Sequence, residues 1–418
     1  MIKTIPKSHV CLLIVALVVL SVVAFPAVSV NADQPRTPDG IYASAATIDN
    51  EGSLIALGNT QPFSNGQSQV FFFKYVSSLP DSPLGQRACM ETFGDGQPLN
   101  TFGTGVATDS SDNIYITGAT QTFGGEDYDV FLQKYDSSCN LLYTKQWGGP
   151  GNDIARGIAV DTEDNVYITG STDSFAGGIS QVFLLKYSPS GELQFSQTWG
   201  SKENSFGNGV ATDTLGNVFV VGTTSSLGGG TSVLLLKYDS SGNLLFQTAW
   251  GGPQSYGTAI AVDPSGDVYV TGYTYSLGLT PGVSSVIILK FDPYGGLIFQ
   301  RIWGGQQNAY GTGIAVDIDG NVYVTGYTKS YSITPGIPSV FLLKFDQAGN
   351  LLFQKFWGGN RGDFAYGIAV DEQENVYITG YSYSFGPNTQ GANFFILRYD
   401  TWGNLLYQKL YGGGIPDP

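Results

Sequence analysis

Histidine is nearly absent from this chain of 418 residues, and its only copy, His9, lies at the edge of an apolar N-terminal segment. Removal of that segment would exclude a Ser-His-Asp or Cys-His nucleophile and a His-ligated zinc or non-haem iron site. Charge is also scarce, at 13% of residues, and 34 acidic residues outnumber 19 basic ones for a net charge of −15. Because so acidic a chain repels a phosphate backbone, nucleic acid is not an expected partner.

Residues 1–32 combine a basic start with a long apolar run. Lys3 and Lys7 precede residues 10–30, which are apolar except for two serines and a proline, and small residues lead up to Ala32. This pattern predicts a cleaved secretory signal. The alternative is an uncleaved N-terminal membrane anchor, because about 20 apolar residues can span a bilayer. In both cases the remainder is predicted to be extracytoplasmic, secreted or at the cell surface, with membrane contact only through an uncleaved segment.

Cysteine is almost as rare as histidine. Cleavage after Ala32 would remove Cys11 and leave Cys89 and Cys139, together with 17 basic and 34 acidic residues and a net charge of −17. In an oxidising compartment the two remaining cysteines can form a disulfide, and the alternative is that they are two unrelated small residues. The sequence leaves both interpretations open.

One motif, of the form GIAVD-x-x-GNVYVTG, recurs seven times at intervals of 50 to 60 residues. Each copy contains four short runs rich in Val, Ile, Phe and Tyr, separated by Gly, Asp, Asn and Ser, which is typical of β-strands. No segment of the predicted mature chain shows sustained apolar spacing of helical type, so helix is expected to be nearly absent. The aspartates of the motif are Asp49, Asp109, Asp161, Asp213, Asp263, Asp317 and Asp371.

These aspartates open short connections such as 317–321, and a second Asp-x-x-Gly-Asn connection follows at 346–350. An Asp that opens a type I turn can accept hydrogen bonds from backbone N–H groups two or three residues on, and the glycine supplies a left-handed conformation. Calcium binding is the alternative, since two or three carboxylates share some of these loops. The additional acids do not recur at one position, so turn capping is the preferred interpretation and no cofactor is predicted.

Seven four-stranded antiparallel units predict an all-β, seven-bladed β-propeller, preceded by the N-terminal signal or anchor segment and a linker at 33–40. Stacked blades bury both faces of each sheet, which explains continuously apolar runs such as 340–343. A tail follows at 413–418. The predicted blades lie within residues 41–412, at about 41–96, 97–149, 150–201, 202–252, 253–305, 306–359 and 360–412.

The units resemble the SBBP repeat of bacterial and archaeal seven-bladed propellers. Its Trp-Gly-Gly, I-A-V-D, G-N-V-Y-V-T-G and K-x-D-x-x-G elements recur over residues 41–412, with Trp-Gly-Gly at Trp147, Trp250, Trp303 and Trp357. The resemblance weakens in the first unit, where Phe93 replaces tryptophan. It implies an extracellular or envelope propeller, usually without an assigned reaction.

A basic residue lies near the end of each third strand. It can pair with a carboxylate or carbonyl within its blade, and the alternative is an anion-binding ring. Pairing is preferred because the third strand lies far from the central axis. The seven residues are Lys74, Lys134, Lys186, Lys237, Lys290, Lys344 and Arg398.

Two connections in each unit, after the second and fourth strands, vary in sequence and emerge on one face, called here the variable face. A fixed scaffold with variable loops is where binding usually occurs. In units two to four this face carries Phe123, Phe175 and Phe206 with the acids Glu126, Asp127, Asp129 and Asp153. In units five to seven it carries the candidate ligand-binding residues Tyr273, Tyr275, Tyr310, Tyr327, Tyr331, Phe364, Tyr366, Tyr381 and Tyr383.

Tyrosines stack on sugar rings and line protein interfaces, although several of these can instead pack between blades. The sequence therefore predicts a non-catalytic binding or adhesion module that recognises a glycan, an envelope polymer or a protein. Alternatives are a lyase-like or hydrolase-like enzyme that uses carboxylates and tyrosine, and a purely structural envelope protein.

Overall fold

The computed structural model describes residues 40–60, 68–76, 86–93, 100–121, 127–200, 202–227 and 229–412. The predicted leader, most of the linker and the tail lie outside them, as do Phe123 and Glu126. The described residues form 28 β-strands and contain no helix. Among these residues there is accordingly no helix that is long and apolar enough to cross a bilayer.

The strands form seven four-stranded antiparallel sheets, and each sheet follows chain order. The first strands are β1 (Ile41–Ile48), β5 (Thr101–Thr108), β9 (Asp153–Val160), β13 (Ser205–Thr212), β17 (Ser255–Val262), β21 (Ala309–Val316) and β25 (Asp363–Val370). The second strands are β2 (Leu54–Thr60), β6 (Ile114–Gln121), β10 (Val166–Thr172), β14 (Val218–Thr224), β18 (Val268–Thr274), β22 (Val322–Thr328) and β26 (Val376–Ser382).

The two outer positions of each sheet complete the blade. The third strands are β3 (Gln69–Val76), β7 (Tyr128–Tyr135), β11 (Gln181–Tyr187), β15 (Ser232–Tyr238), β19 (Ser285–Phe291), β23 (Ser339–Phe345) and β27 (Asn393–Tyr399). The fourth strands are β4 (Gln86–Phe93), β8 (Leu141–Trp147), β12 (Leu193–Trp199), β16 (Leu244–Trp250), β20 (Leu297–Trp303), β24 (Leu351–Trp357) and β28 (Leu405–Tyr411).

The first strands of successive blades lie side by side, and β25 contacts β1, so the innermost strands form a closed ring. The hydrophobic cores lie between blades. Each of the seven largest buried clusters combines residues of two neighbouring blades, as when Tyr269 and Ile288 pack with Val324 and Phe341. The predicted all-β, seven-bladed propeller with four-stranded antiparallel blades is confirmed.

Ring closure joins complete blades. Ile41, Phe71 and Phe73 of the first blade pack with Phe394 and Tyr411 of the seventh. The Phe73 and Tyr411 rings stack with centroids 5.2 Å apart. The first-blade backbone also bonds to the seventh at Ile41, whose N–H donates to the Ala392 carbonyl over 3.2 Å. The seam is thus closed by side-chain packing and hydrogen bonds, without exchange of a strand.

The aspartates of the repeated motif cap the connection between the first and second strands. The Asp161 Oδ1 accepts the N–H groups of Glu163 and Asn165, two and four residues on. The expectation of a bond three residues on was wrong: that N–H, from Asp164, donates to the Asp161 carbonyl. Because Asp164 has a φ of +63°, the following N–H turns back towards the carboxylate. All seven aspartates accept the N–H four residues ahead.

In four blades the buried carboxylate also forms an ion pair, within 4.0 Å, with the basic residue of the third strand. Asp109 lies 3.1 Å from Lys134 Nζ and accepts the Tyr115 hydroxyl over 3.0 Å. Lys134 lies over the Tyr115 ring and donates to the Pro189 carbonyl of the next blade over 3.2 Å. Lys74, Lys186, Lys237 and Lys344 make the corresponding bond to the next blade. The cation therefore ties a blade to its own Asp turn or to its neighbour.

The blades also meet at their outer edge, where an aromatic ring on a fourth strand packs on a turn glycine of the next blade. The Gly242 backbone lies so close to Phe195 that a Cβ there would come 3.1 Å from the ring. The Cys89–Cys139 disulfide occupies the same place between the first two blades. Cys89 pairs with Lys74 as Phe195 pairs with Lys186. Cys139 takes the positive-φ position that glycine holds in blades three to seven. A covalent bond therefore replaces a ring-on-glycine contact at this seam.

Candidate binding site at the variable face

The innermost ring carries a β-bulge in every blade, always at the fourth residue of the first strand. In three blades this residue is a threonine, and its hydroxyl donates to a backbone carbonyl of the next first strand: Thr104 to Ala155, Thr258 to Gly311 and Thr312 to Ala365, each over 2.9 Å. Asn208 does the same. The seven bulged residues are Ser44, Thr104, Arg156, Asn208, Thr258, Thr312 and Tyr366.

Two residues before each bulge, at the variable-face end, a large side chain pairs across to the second strand. In the fifth blade Tyr256 stacks on Tyr273, with ring centroids 4.7 Å apart. The sixth blade pairs Tyr310 with Tyr327 at 5.0 Å. The seventh pairs Phe364 with Tyr381, also at 5.0 Å. Three successive blades thus present two aromatic rings each.

These pairs touch one another and form a continuous arc. Tyr273 meets Tyr310 edge-on at 4.9 Å, and Tyr327 meets Phe364 in the same way at 4.9 Å. The arc reaches the first blade through Tyr42, whose ring lies 4.7 Å from Tyr381. We call this set the aromatic arc: Tyr42, Tyr256, Tyr273, Tyr275, Tyr310, Tyr327, Phe364, Tyr366, Tyr381 and Tyr383.

Eight of the nine candidate residues therefore lie together, and Tyr331 does not. Tyr331 packs on Trp303, with centroids 5.3 Å apart, and its hydroxyl donates to the Gly304 carbonyl. Phe175 and Phe385 pack in the same way on Trp147 and Trp357. Tyr331 thus belongs to the outer edge of the disc.

Packing within the arc raises the pKa of several of its phenols. Burial raises the pKa of Tyr381 to about 12 and raises those of Tyr273, Tyr327 and Tyr383 further. Tyr273 is almost fully buried, whereas Tyr327 and Tyr381 are half-buried. A protonated phenol can donate a hydrogen bond and offer a ring face, but it is a poor base at neutral pH.

The second, third and fourth blades differ at the same positions. The second-strand partners there are small: Ala119, Ser171 and Thr223. Arg156, at the bulge of the third blade, reaches into this sector. Its guanidinium lies over the Phe206 ring at 5.4 Å, and Nη2 is 3.4 Å from the Ser171 hydroxyl. The position of Arg156 at a bulge was not predicted, because the bulge is visible only in the strand register.

Carboxylates also lie at this face, but they are held by local bonds. The buried Asp363 accepts the Gly359 N–H and the hydroxyls of Ser382 and Ser384. Burial nevertheless raises the pKa of Asp363. Burial, and then the charge of Asp153, raise the pKa of Asp129. Within the described residues no three Asp, Glu, His or Cys side chains group closely enough to hold a metal ion.

The recurrent blade also identifies the relatives of this chain. The beta-propeller repeat profile named SBBP matches residues 94–122, 142–175, 197–229, 250–278, 299–333 and 345–386. The chain belongs to the SBBP beta-propeller repeat family. The resemblance seen in the sequence is thereby confirmed.

Two curated proteins are similar to this SBBP propeller. One is an uncharacterized WD repeat-containing protein of Acanthamoeba polyphaga mimivirus, 25% identical over 403 residues, with 67% of this chain and 29% of the relative covered. The other is the regulatory protein FlaEY of Caulobacter vibrioides, 28% identical over 123 residues, with 27% and 13% covered. The chain therefore spans less than a third of the length of either relative.

Solved structures share the fold at low sequence identity. A puromycin hydrolase is 12% identical with a TM-score of 0.56, over 90% of this chain and 54% of the other. The β-propeller domain of the Trilobed protease from Pyrococcus furiosus is 11% identical with a TM-score of 0.50, over 90% and 96%. At these identities the similarity shows the propeller fold alone.

Proposed function

We propose that this propeller is an extracytoplasmic binding module that recognises a glycan through the aromatic arc. The observation that carries the proposal is the unequal distribution of rings around the variable-face end of the inner strands. Blades five to seven place two rings each there, whereas blades two to four pair one large side chain with a small one. A uniform packing role would call for the same residues in all blades.

Half-buried tyrosines suit sugar recognition because each ring offers an apolar face to a pyranose and a hydroxyl to its polar groups. Neighbouring rings in the arc brace one another, so little side-chain entropy remains to be lost on binding. The neutral phenols of the arc are hydrogen-bond donors, which favours recognition over base catalysis at this site. An enzyme, a protein-binding module and a structural envelope component are the competing functions.

The test is a glycan and cell-wall polymer array probed with residues 33–418. Tyr327→Ala and Tyr381→Ala should each weaken the detected binding about ten-fold or more, which corresponds to about 1.4 kcal/mol. Tyr294→Ala is the matched control, since Tyr294 is 88% exposed in a turn on the opposite face. Thermal unfolding of each variant separates lost binding from lost folding. Unchanged binding in both arc variants contradicts the proposal, as does an array without any bound glycan.

A further inference from the structure

Arg156 differs from the residues at the equivalent bulge position of the other six blades. Six other blades place Ser, Thr, Asn or Tyr at the bulge, and threonine completes the bond to the next blade three times. Arg156 instead turns its guanidinium along the strand towards the variable face. Its contacts, Ser171 and Phe206, are the last-but-one residue of β10 and the second residue of β13. Both positions lie at the variable-face ends of their strands.

The guanidinium forms no ion pair in the part of the chain that the structure describes, although the charge of Asp173 acts on it from beyond ion-pair distance. Its side chain is half-buried, and its Nε is buried without a hydrogen-bond partner among those residues. Lys74 and Lys134 pair with carboxylates within 3.1 Å, whereas no carboxylate there lies within 4.0 Å of Arg156. A partly buried cation without a partner lowers stability. Since threonine serves the fold at this position, the arginine is explained by a ligand better than by packing.

We propose that Arg156 is the anion-recognising residue of the variable face and that the ligand is a carboxylate-bearing glycan, of the uronic acid class. This inference rests on the proposed glycan-binding function and specifies its ligand. The planar guanidinium matches a carboxylate through two parallel hydrogen bonds, while the aromatic arc supplies ring faces for neighbouring sugars. The net charge of −15 favours a short or sparsely charged uronate over any densely charged polymer, because one arginine cannot offset the repulsion of many anionic groups.

The experiment compares the shortest oligogalacturonate, digalacturonate, with its dimethyl ester, each titrated into the full chain by calorimetry. The wild type should bind the acid form about ten-fold more tightly than the ester. Arg156→Thr installs the residue of blades two, five and six, and it should keep or raise the melting temperature while abolishing the preference. Arg156→Lys should retain part of the preference for the acid form, because an ammonium keeps the positive charge but lacks the planar pair of N–H donors. Thr258→Val, which removes a bulge hydrogen bond but no charge, should leave the preference unchanged.

Equal binding of acid and ester by the wild type, or a preference that survives Arg156→Thr, overturns the inference. If Tyr327→Ala then still abolishes binding of both forms, the proposed glycan-binding function stands without it. Binding of a poly-glutamate peptide in place of digalacturonate also overturns the glycan assignment. Failure to bind either sugar overturns the uronate inference, whereas the glycan array decides the broader function independently.

Discussion

Asp109 and Asp363 are both buried aspartates, one on the face formed by the Asp turns and one on the variable face, yet their pKa values move in opposite directions. Burial raises the pKa of Asp109, but bonds from Asn113 and the ammonium of Lys134 outweigh it, so the pKa lies below 3.8. At Asp363 burial outweighs the bonds from two serines and Gly359, so the pKa rises. A cation therefore compensates the burial of Asp109, whereas the neutral donors around Asp363 do not fully compensate its burial.

The difference shows how a repeat protein separates tasks. Every blade uses its Asp turn, since the carboxylate caps the backbone in all seven and in six also meets the basic residue or aromatic hydroxyl of its own blade. The variable face contains none of these Asp turns, and there the blades carry different side chains. Four predictions test the contrast between the two faces and the bonds that hold the blades together.

The largest expected effect is that of Asp109→Ala. The change removes the partner of Lys134, the acceptor of the Tyr115 hydroxyl and a backbone cap, and it leaves a buried ammonium unpaired. Loss of one partner of a buried pair costs about 3–5 kcal/mol. The loss in the free energy of unfolding can be measured by denaturant titration. Asp319→Ala, at an exposed position of another Asp turn, should change stability by less than about 0.5 kcal/mol; an equal loss in both variants would contradict the ranking.

The second effect concerns the first inter-blade seam. Replacing both Cys89 and Cys139 with alanine should lower the free energy of unfolding by about 2–4 kcal/mol, because the disulfide closes a loop of 50 residues. A double variant with Cys89→Phe and Cys139→Gly should lose less, since it restores the ring-on-glycine contact of the other seams. Reductant should destabilise only the wild type. If the restored pair is no more stable than the alanine pair, the equivalence of the two contacts is wrong.

A smaller effect is expected from removing one rim hydrogen bond. The Trp250 indole N–H donates to Gln300 of the next blade over 3.0 Å, and Trp303 makes the corresponding bond to Gln354. Gln300→Leu should cost about 1 kcal/mol by leaving the indole without its acceptor. The melting temperature reports the loss. Gln194→Leu, on the exposed edge of β12, serves as the control and should leave that temperature unchanged.

The smallest effect is a difference in pH dependence between the faces. A lowered pKa means that the stability from Asp109 is fully present above pH 3.8 and is lost as pH falls through the folded pKa. A raised pKa means that the contribution of Asp363 is fully present below pH 3.8 and is lost as pH rises through the folded pKa. Relative to Asp363→Asn, the wild type should therefore gain stability on acidification between pH 7 and 3. Relative to Asp109→Asn, the wild type should lose stability over the same pH range. If the stability difference between wild type and variant changed in the same direction with pH in both comparisons, the opposite pKa shifts would be contradicted.

The fold was predictable because its determinants are local and repeated. Asp317 and its six equivalents mark a turn in every unit, and the runs between turns have strand length, so counting them gives seven blades. Placement of the arc was less predictable. Tyr327 is next to a fixed glycine within a strand, and its register places it with Tyr310. Tyr331 lies in the loop, three residues beyond the end of that strand, so strand register does not fix its position, and it packs on Trp303.

Arg156 and the cysteines show what sequence patterns leave undetermined. The bulge at Arg156 shifts the register by one residue, and only the paired strands reveal that the residue belongs to a ring of hydrogen-bonding positions. Cys89 and Cys139 are 50 residues apart, and that number does not indicate contact. Their relation emerges when Cys89 is aligned with Phe195 and Cys139 with Gly242 through strand pairing. The first case depends on strand pairing within a blade and the second on a contact between blades.

The seam between the first and seventh blades, where no strand is exchanged, has a consequence for inheritance. Because no strand is shared between the ends of the ring, one uninterrupted stretch of coding sequence specifies a whole blade. The bonds from one blade to the next, such as Lys134 to Pro189 and Trp250 to Gln300, run in a single direction and use equivalent partners. Unequal recombination between repeats therefore exchanges complete, mutually compatible cassettes. The side chains of the variable face can therefore change by recombination of whole blades as well as by point mutation.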